Sequence, residues 1–295
     1  MPTIFLEKEM TKMGQLLDGK RLADIRARKL QKQVCELKSL GVQPLFCVIN
    51  IGDDPSSKIY LKTKKSRANQ IGIEQKLFQL PKTVPQQELL KLIKRLNNEK
   101  AVNGIMIQLP VPKQINLNEV LAAIDPEKDV DCLTPANIGR LWQGEHFVEP
   151  ATAHGILALL DYYHITLKGK NAVIIGRSSI VGKPLAALML ERDATVSILH
   201  LKTKNLAEYT KRADILVTAT GQANLVTAEM IKKGAVIIDV GISRVKGKTV
   251  GDVAFAQVAP LTSFITPVPG GVGPLTVESL MEQVVQLTRR KYGKC

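Results

Sequence analysis

The chain has 295 residues, 45% hydrophobic and 23% charged, which allows one large or two medium α/β domains of ordinary soluble composition. No apolar run approaches the ~20 residues that cross a bilayer, and the four cysteines and four histidines share no metal-ligand or redox spacing. The net charge of +14 reads first as a solvated basic surface and second as an attraction for small anionic ligands; aromatic residues at 4% and scattered basic residues leave nucleic acid a distant third.

The opening MPTIFLEKEMTKMGQ lacks a basic segment followed by an apolar core, so it reads as a short, poorly ordered extension rather than a secretory leader. A reduced, cytoplasmic protein without a metal site is the simplest expectation. Leu22, Ile25, Leu30, Val34 and Leu37 recur at helical spacing and predict a helix from Leu22 to Leu40, stopped by Gly41. PLFCVINIG (44–52) predicts a buried strand. Asp54 as cap and Pro55 as first helical residue then predict a helix running to Gly72. A strand near 74–80, a helix after Pro85, a strand at GIMIQLPVP (104–112) and a short helix at 117–124 follow. Such alternation implies a parallel sheet covered on both faces.

A second unit begins near residue 150. KNAVIIG (170–176) predicts a strand that turns through RSSIVGKP into the apolar helix LAALMLERD. ATVSILH (194–200), ADILVTATG (213–221) and AVIIDVGI (235–242) add three strands, the pattern of a dinucleotide-binding domain. In PVPGGVGPLT (267–276), Pro267 and Pro269 fix φ while Gly270, Gly271 and Gly273 permit conformations closed to other residues. The expectation is a rigid ligand loop, neither helix nor central strand, with a terminal helix starting at Thr276, running over 276–290 and packing back on the first domain. The expected domains are 1–148 plus 277–295, and 149–276.

The glycine turn is Gly176-Arg-Ser-Ser-Ile-Val-Gly182, which lacks the strict G-x-G-x-x-G fingerprint but keeps a strand before it and a helix after it. Backbone N–H groups at that helix start suit a pyrophosphate. An NAD site places Asp or Glu at the end of the next strand. Here that end is His200-Leu201-Lys202-Thr203, and Arg177 lies in the turn, so Arg177 and Lys202 are candidates for a 2′-phosphate and NADP is favoured over NAD. The alternative is that both are plain exposed charges and that His200 is a structural strand-end histidine.

In the first domain, Tyr60 and Lys64 stand at i and i+4 on one helix face. A flat heterocycle stacked on the ring would meet the amine, whose reference pKa of about 10.4 must fall for proton transfer at neutral pH. Spacing alone favours an exposed basic helix. Gln108, a polar amide in an apolar strand, needs partners, and neighbouring backbone is the common one. Asp129 and Asp131 alternate about Val130, so an extended segment points both one way, to hold a pterin-like N–H edge or to cap the turn at Thr134-Pro135.

Together LDGK (17–20), GDDPSSKIYLKTK (52–64), GIMIQLPVP, PEKDVD (126–131), GRSSIVGKP (176–184), IIDVGI and PVPGGVGPLT resemble the bifunctional methylenetetrahydrofolate dehydrogenase/methenyltetrahydrofolate cyclohydrolase family, over nearly the whole chain from Leu17. The resemblance implies an N-terminal α/β substrate and catalytic domain, a Rossmann-type NADP-binding domain, and a C-terminal helix returning to the first domain. It implies oxidation of 5,10-methylenetetrahydrofolate to the methenyl form with hydride transfer to NADP, then hydrolysis to 10-formyltetrahydrofolate. By motif it makes Lys64 catalytic, Gln108 its orienting partner and Asp131 the anchor of the pterin. Tyr60, Gly273 and Thr276 become folate contacts. Cofactor contacts carried over are Gly176, Arg177, Ser178, Gly182, His200, Lys202, Thr220, Gly221, Gly241 and Ile242, with no metal. The family also implies a homodimer built through the cofactor domain.

Five motifs depart from the family pattern, at six positions. Cys132 replaces the Gly of DVDG, and PATAHG puts Ala151 and Ala153 where PCTPxG has Cys and Pro. Leu201 replaces the Ser of HSxT, Ala254 the second Asp of GDVDF, and Leu275 the Met of GPMT. Tyr60, Lys64, Gln108 and Asp131 are all retained, so both activities are expected. Competing readings are an NADP-dependent dehydrogenase of another small cyclic substrate, of shikimate type, and a folate-binding module without turnover.

Overall fold

The structure, a computed structural model, describes residues 14–293. The N-terminal extension expected to be poorly ordered lies outside the described residues. The chain divides into two compact units, residues 21–155 with 275–293, and residues 14–20 with 156–274. The chain opens with β1 (Gln15–Leu16), α1 (Gly19–Ser39), β2 (Leu45–Ile51), α2 (Pro55–Ile71), β3 (Glu74–Leu80), α3 (Gln86–Asn98), β4 (Gly104–Ile107) and α4 (Leu117–Ala122). Two helices follow beyond those expected from the sequence, α5 (Pro135–Gln143) and α6 (Ala151–Tyr162). For α5 the signals are punctuation: Thr134 caps it by accepting from the Asn137 N–H, Pro135 is its first residue, and Gly144 closes it in the left-handed region.

The first unit is built on a parallel three-stranded sheet in the order β3-β2-β4. β2 is central and buried along its length. Its side chains alternate: Phe46 and Val48 join the cluster of Leu30 and Val34 from α1 and Leu61 from α2, while Cys47, Ile49 and Ile51 join that of Leu89 and Ile93 from α3. The strand expected over 104–112 ends at Ile107. The Gln108 N–H still reaches Ile49 O at 2.8 Å, but Pro110 and Pro112 have no N–H to continue the ladder.

The second unit contains β5 (Asn171–Ile175), α7 (Gly182–Glu191), β6 (Thr195–Leu199), α8 (Leu206–Thr210), β7 (Ile215–Thr218), β8 (Val236–Asp239), the hairpin β9 (Ser243–Val245) and β10 (Lys248–Val250), α9 (Phe255–Val258) and β11 (Phe264–Ile265). Its parallel sheet has the order β1-β11-β8-β7-β5-β6. The chain moves outward from β5 in both directions, so the strand order reverses there, the point at which such sheets bind ligands beyond their carboxyl ends. β1 was expected with the first domain. It pairs instead with β11, Gln15 opposite Phe264 and Leu16 opposite Ile265, and Leu17 beside it is fully buried.

The helix α10 (Val272–Lys291) begins four residues earlier than expected. The Gly271 N–H donates to Pro267 O at 2.9 Å and closes the tight loop, so Val272, Gly273, Pro274, Leu275 and Thr276 already form the first helical turn. Pro274 is tolerated there because N–H groups of a first turn have no helical partner. Further along, Leu280, Met281, Val284 and Leu287 enter the core of α1 and α2, so this helix returns to the first unit.

Candidate active site

α2 is set by its ends. Asp54 accepts from the Ser57 N–H, Pro55 starts the first turn, and Gly72 ends the helix at φ 93°. Lys64 is buried, whereas Tyr60, one turn earlier, is 38% exposed. The Lys64 Nζ donates to Gln108 Oε1 at 3.0 Å and lies 3.7 Å from Met106 Sδ. Gln108 is itself aimed, since its Nε2 donates to Leu109 O at 2.9 Å. Burial holds the Lys64 amine below the usual lysine range, against the opposing pull of Asp131. Burial likewise pushes the Tyr60 phenol up. The exposed basic helix that spacing favoured is therefore not what Lys64 forms.

The two aspartates of DVD part company. Asp129 accepts from the Leu133 N–H at 3.2 Å, the Thr134 N–H at 2.8 Å and Asn137 Nδ2 at 3.0 Å, which makes it the cap of the following turn. The extended segment expected here is a turn, with Cys132 at φ 55°, so the two side chains have different tasks. Asp131 feels the Lys64 amine. Burial pushes its carboxyl up to about 6; Lys64 opposes that shift and Asp129 adds to it. Thr276 donates to Thr152 Oγ1 at 3.2 Å, and Gly273 has open space where a Cβ would be.

In the second unit the loop after β5 is closed by its glycines. A Cβ on Gly182 would stand 1.9 Å from Gly176 O, and Gly176 itself has φ 147°. Ser178 Oγ accepts from the Val181 N–H at 3.1 Å, and no side chain caps α7. Arg177 and Ser178 are exposed above it. His200 serves its own turn: its Nδ1 accepts from the Lys202 N–H at 3.1 Å and its N–H donates to Thr203 Oγ1 at 3.0 Å. Lys202 and Leu201 are exposed. Gly221 (φ 69°) faces open space, Ile242 is 50% exposed, and Gly241 is buried.

Models of the tetrahydrofolate dehydrogenase/cyclohydrolase catalytic domain and NAD(P)-binding domain match residues 17–131 and 150–292. The bifunctional protein FolD of Lactobacillus delbrueckii subsp. bulgaricus is 63% identical over 95% of this chain and 99% of its own. The chain belongs to the tetrahydrofolate dehydrogenase/cyclohydrolase family. FolD of Lactococcus lactis subsp. cremoris is 50% identical over 95% of this chain and 98% of its own. Among solved structures, the bifunctional FolD methylenetetrahydrofolate dehydrogenase/cyclohydrolase of Campylobacter jejuni aligns with a TM-score of 0.92 at 43% identity, covering 94% of this chain and 99% of that one. The Trypanosoma brucei methylenetetrahydrofolate dehydrogenase-cyclohydrolase, complexed with NADP and an inhibitor, aligns at 0.91 and 36% identity, covering 95% and 99%.

The residues fit the dinucleotide that the family's second domain takes. Gly176 and Gly182 meet so closely that a side chain on Gly182 would fill the turn, the exposed side chains of Arg177 and Ser178 offer donors for a phosphate, and no carboxylate follows β6. Sequence reasoning missed Met106 beside Lys64, and also two buried carboxylates, Asp239 and Asp252. The signal was present, because an acid at the end of the apolar strand in IIDV has to find donors. One departure from the family has a structural account: Cys132 is buried in the left-handed region that Gly usually fills, and its Sγ donates to Val148 O at 3.3 Å.

Proposed function

We propose that this protein oxidises 5,10-methylenetetrahydrofolate to 5,10-methenyltetrahydrofolate with NADP and then hydrolyses the product to 10-formyltetrahydrofolate. The observation that carries this reading is the buried Lys64 amine on the Gln108 amide oxygen at 3.0 Å, in a chain of the dehydrogenase/cyclohydrolase family. Tyr60 stacks on the folate, and Asp131 holds the N–H edge of the pterin. Gly273 and Thr276, in the first turn of α10, are further folate contacts.

Bound NADP supplies the hydride acceptor. Loss of hydride from the one-carbon bridge leaves a delocalised cation, so that step needs orientation rather than a strong base. Hydrolysis differs, since water must shed a proton as it adds to the cationic carbon. A neutral Lys64 amine takes that proton, directly or through a second water, and Gln108 keeps the amine aimed. A carboxylate at 108 would favour the ammonium; an amide leaves it neutral.

Gly176, Arg177, Ser178 and Gly182 would hold the phosphates, with His200, Lys202, Thr220, Gly221, Gly241 and Ile242 along the same edge. Exposed Arg177 and Lys202, without a carboxylate after β6, support NADP over NAD. Neither a shikimate-type dehydrogenase nor an inert folate-binding module accounts for the family membership together with an intact Lys64–Gln108 pair. We place the protein in the cytoplasm as a homodimer built through the second unit, free of membrane and nucleic acid. No described helix is long and apolar enough to cross a membrane, and β6 is an edge strand with Ile198 38% exposed.

The test is a two-stage assay on purified protein: methenyl product from methylenetetrahydrofolate and NADP, then its decay to the formyl form. Folded protein that produces neither species contradicts the assignment.

A further inference from the structure

The hairpin β9–β10 leaves the sheet at Gly241 and returns at Gly251, and the two glycines interlock with two buried acids. A Cβ on Gly241 would stand 2.0 Å from Asp252 Oδ1, and one on Gly251 would stand 1.9 Å from Asp239 Oδ2. Each arm thus omits a side chain where the carboxylate of the other arm must pass. Asp239 is 4% exposed and Asp252 is fully buried.

Both acids are held by many donors. Asp239 Oδ1 accepts from the N–H groups of Gly241 and Asp252, each at 3.0 Å, and its Oδ2 accepts from the Val253 N–H at 2.9 Å. Asp252 Oδ2 accepts from Thr218 Oγ1 at 2.9 Å, the Thr220 N–H at 2.7 Å and Thr220 Oγ1 at 2.8 Å. These contacts tie the end of β7, the end of β8 and the segment after β10 into one body. What the body presents outward is Gly221, open above its α-carbon, and the half-exposed Ile242.

We propose that Asp239 and Asp252 are positioning residues for NADP: without touching it, they lock Thr220–Gly221 and Gly241–Ile242 into a rigid floor for the dinucleotide. The proposal rests on the reading of this unit as the NADP domain. A floor held at its own hydrogen bonds loses no ordering entropy when the cofactor binds, which is where preorganisation gains affinity. An asparagine at 252 keeps one oxygen for the threonines but turns an N–H₂ toward Gly241, where the carboxylate Oδ1 now sits without a donor. The floor should shift while the Lys64 site, on a different unit, keeps its geometry.

The family's second activity supplies the control, because hydrolysis of added 5,10-methenyltetrahydrofolate needs no NADP turnover. Asp252→Asn and the milder Thr218→Val are made in the full chain. NADP is titrated calorimetrically, thermal unfolding is recorded, and both activities are assayed. Expected for Asp252→Asn is a rise of about tenfold or more in the NADP Kd and KM, the scale of loosening hydrogen bonds to a charged group. Dehydrogenase kcat at saturating NADP and the cyclohydrolase rate should stay within about twofold of wild type, the signature of lost binding rather than lost chemistry. Thr218→Val should raise the NADP Kd by a few-fold in the same direction. If Asp252→Asn fails to fold, Thr218→Val decides the matter. Unchanged NADP affinity in the folded variants, or a parallel loss of both activities, overturns the proposal. A wild-type protein that titrates no NADP removes the functional reading as well, which separates the two failures.

Discussion

The Lys64 amine and the Gln108 amide oxygen lie 3.0 Å apart, although 44 residues separate them in the chain. Gln108 cannot turn away freely, because its own N–H₂ is committed to the Leu109 carbonyl. The lysine therefore faces a neutral acceptor inside a buried pocket. That combination orients the amine without paying back the charge that burial disfavours.

Replacing Lys64 with methionine keeps the side-chain volume and removes the proton acceptor. The cyclohydrolase rate should fall by roughly 10²- to 10⁴-fold, the usual contribution of a positioned acid–base group. Oxidation should be impaired too, but less, since orientation governs that step. Separate assays of the two stages check this. A cyclohydrolase rate equal to wild type would strip Lys64 of its role.

Gln108→Glu sets a carboxylate where the neutral amide stands. The new charge favours the ammonium form, so the Lys64 pKa moves up and a smaller fraction of enzyme carries the free amine at neutral pH. The pH–rate profile of cyclohydrolysis should shift to higher pH, with activity recovering in alkaline buffer. A profile that drops in height without moving would mean that Gln108 acts only through packing.

Stability should depend on pH through the Glu149–His154–Glu282 clasp of the first unit. His154 Nδ1 meets Glu149 at 2.8 Å and its Nε2 meets Glu282 at 3.1 Å, with Arg26 paired to the same Glu282. Burial alone would lower the His154 pKa, but the hydrogen bonds to Glu149 and Glu282 raise it from 6.5 to about 9. A raised folded-state value stabilises fully below 6.5, and that contribution is lost as pH climbs through about 9. Burial works to raise Glu149, but the His146 and His154 bonds prevail and depress it from 4.5 to about 2, so its share vanishes as pH falls through that range. The melting temperature should be highest between those flanks. His154→Gln should flatten the alkaline fall; a fall of undiminished size in that variant would assign it elsewhere.

Cofactor choice should respond to Arg177. Arg177→Ala should raise the KM for NADP by about tenfold, the scale of one charge-assisted contact to phosphate, while barely moving that for NAD. Parallel titrations of the two dinucleotides read the difference directly. Equal effects on both would place the arginine on the pyrophosphate that they share.

Much of the framework was legible because its causes are local. The cap at Asp54, Pro55 behind it and Gly72 at the far end specify α2 from its own residues, and that helix puts Tyr60 and Lys64 on one face. The continuous apolar run LFCVINI announced β2 as a buried strand, and the strand, turn and helix around Gly176 and Gly182 announced the second unit. Over 267–271 the prolines and glycines form the expected loop, whereas Gly273 and Pro274 misled, since residues poor in a helix interior are tolerated in the first turn of α10.

What only the tertiary structure decided depends on partners distant in the chain. Spacing alone left Lys64 as an exposed charge, and Gln108 and Met106 from another element bury it. Asp129 and Asp131 looked equivalent until the donors of Leu133, Thr134 and Asn137 claimed the first of them. β1 joined the second unit because the free edge of β11 was there to pair with, and Asp239 was spent on the backbone of Asp252 and Val253 while Asp252 was spent on Thr218 and Thr220. Helix ends and strand alternation follow from a few neighbouring residues, whereas burial, charge state and the direction of a polar side chain follow from whatever packs against it.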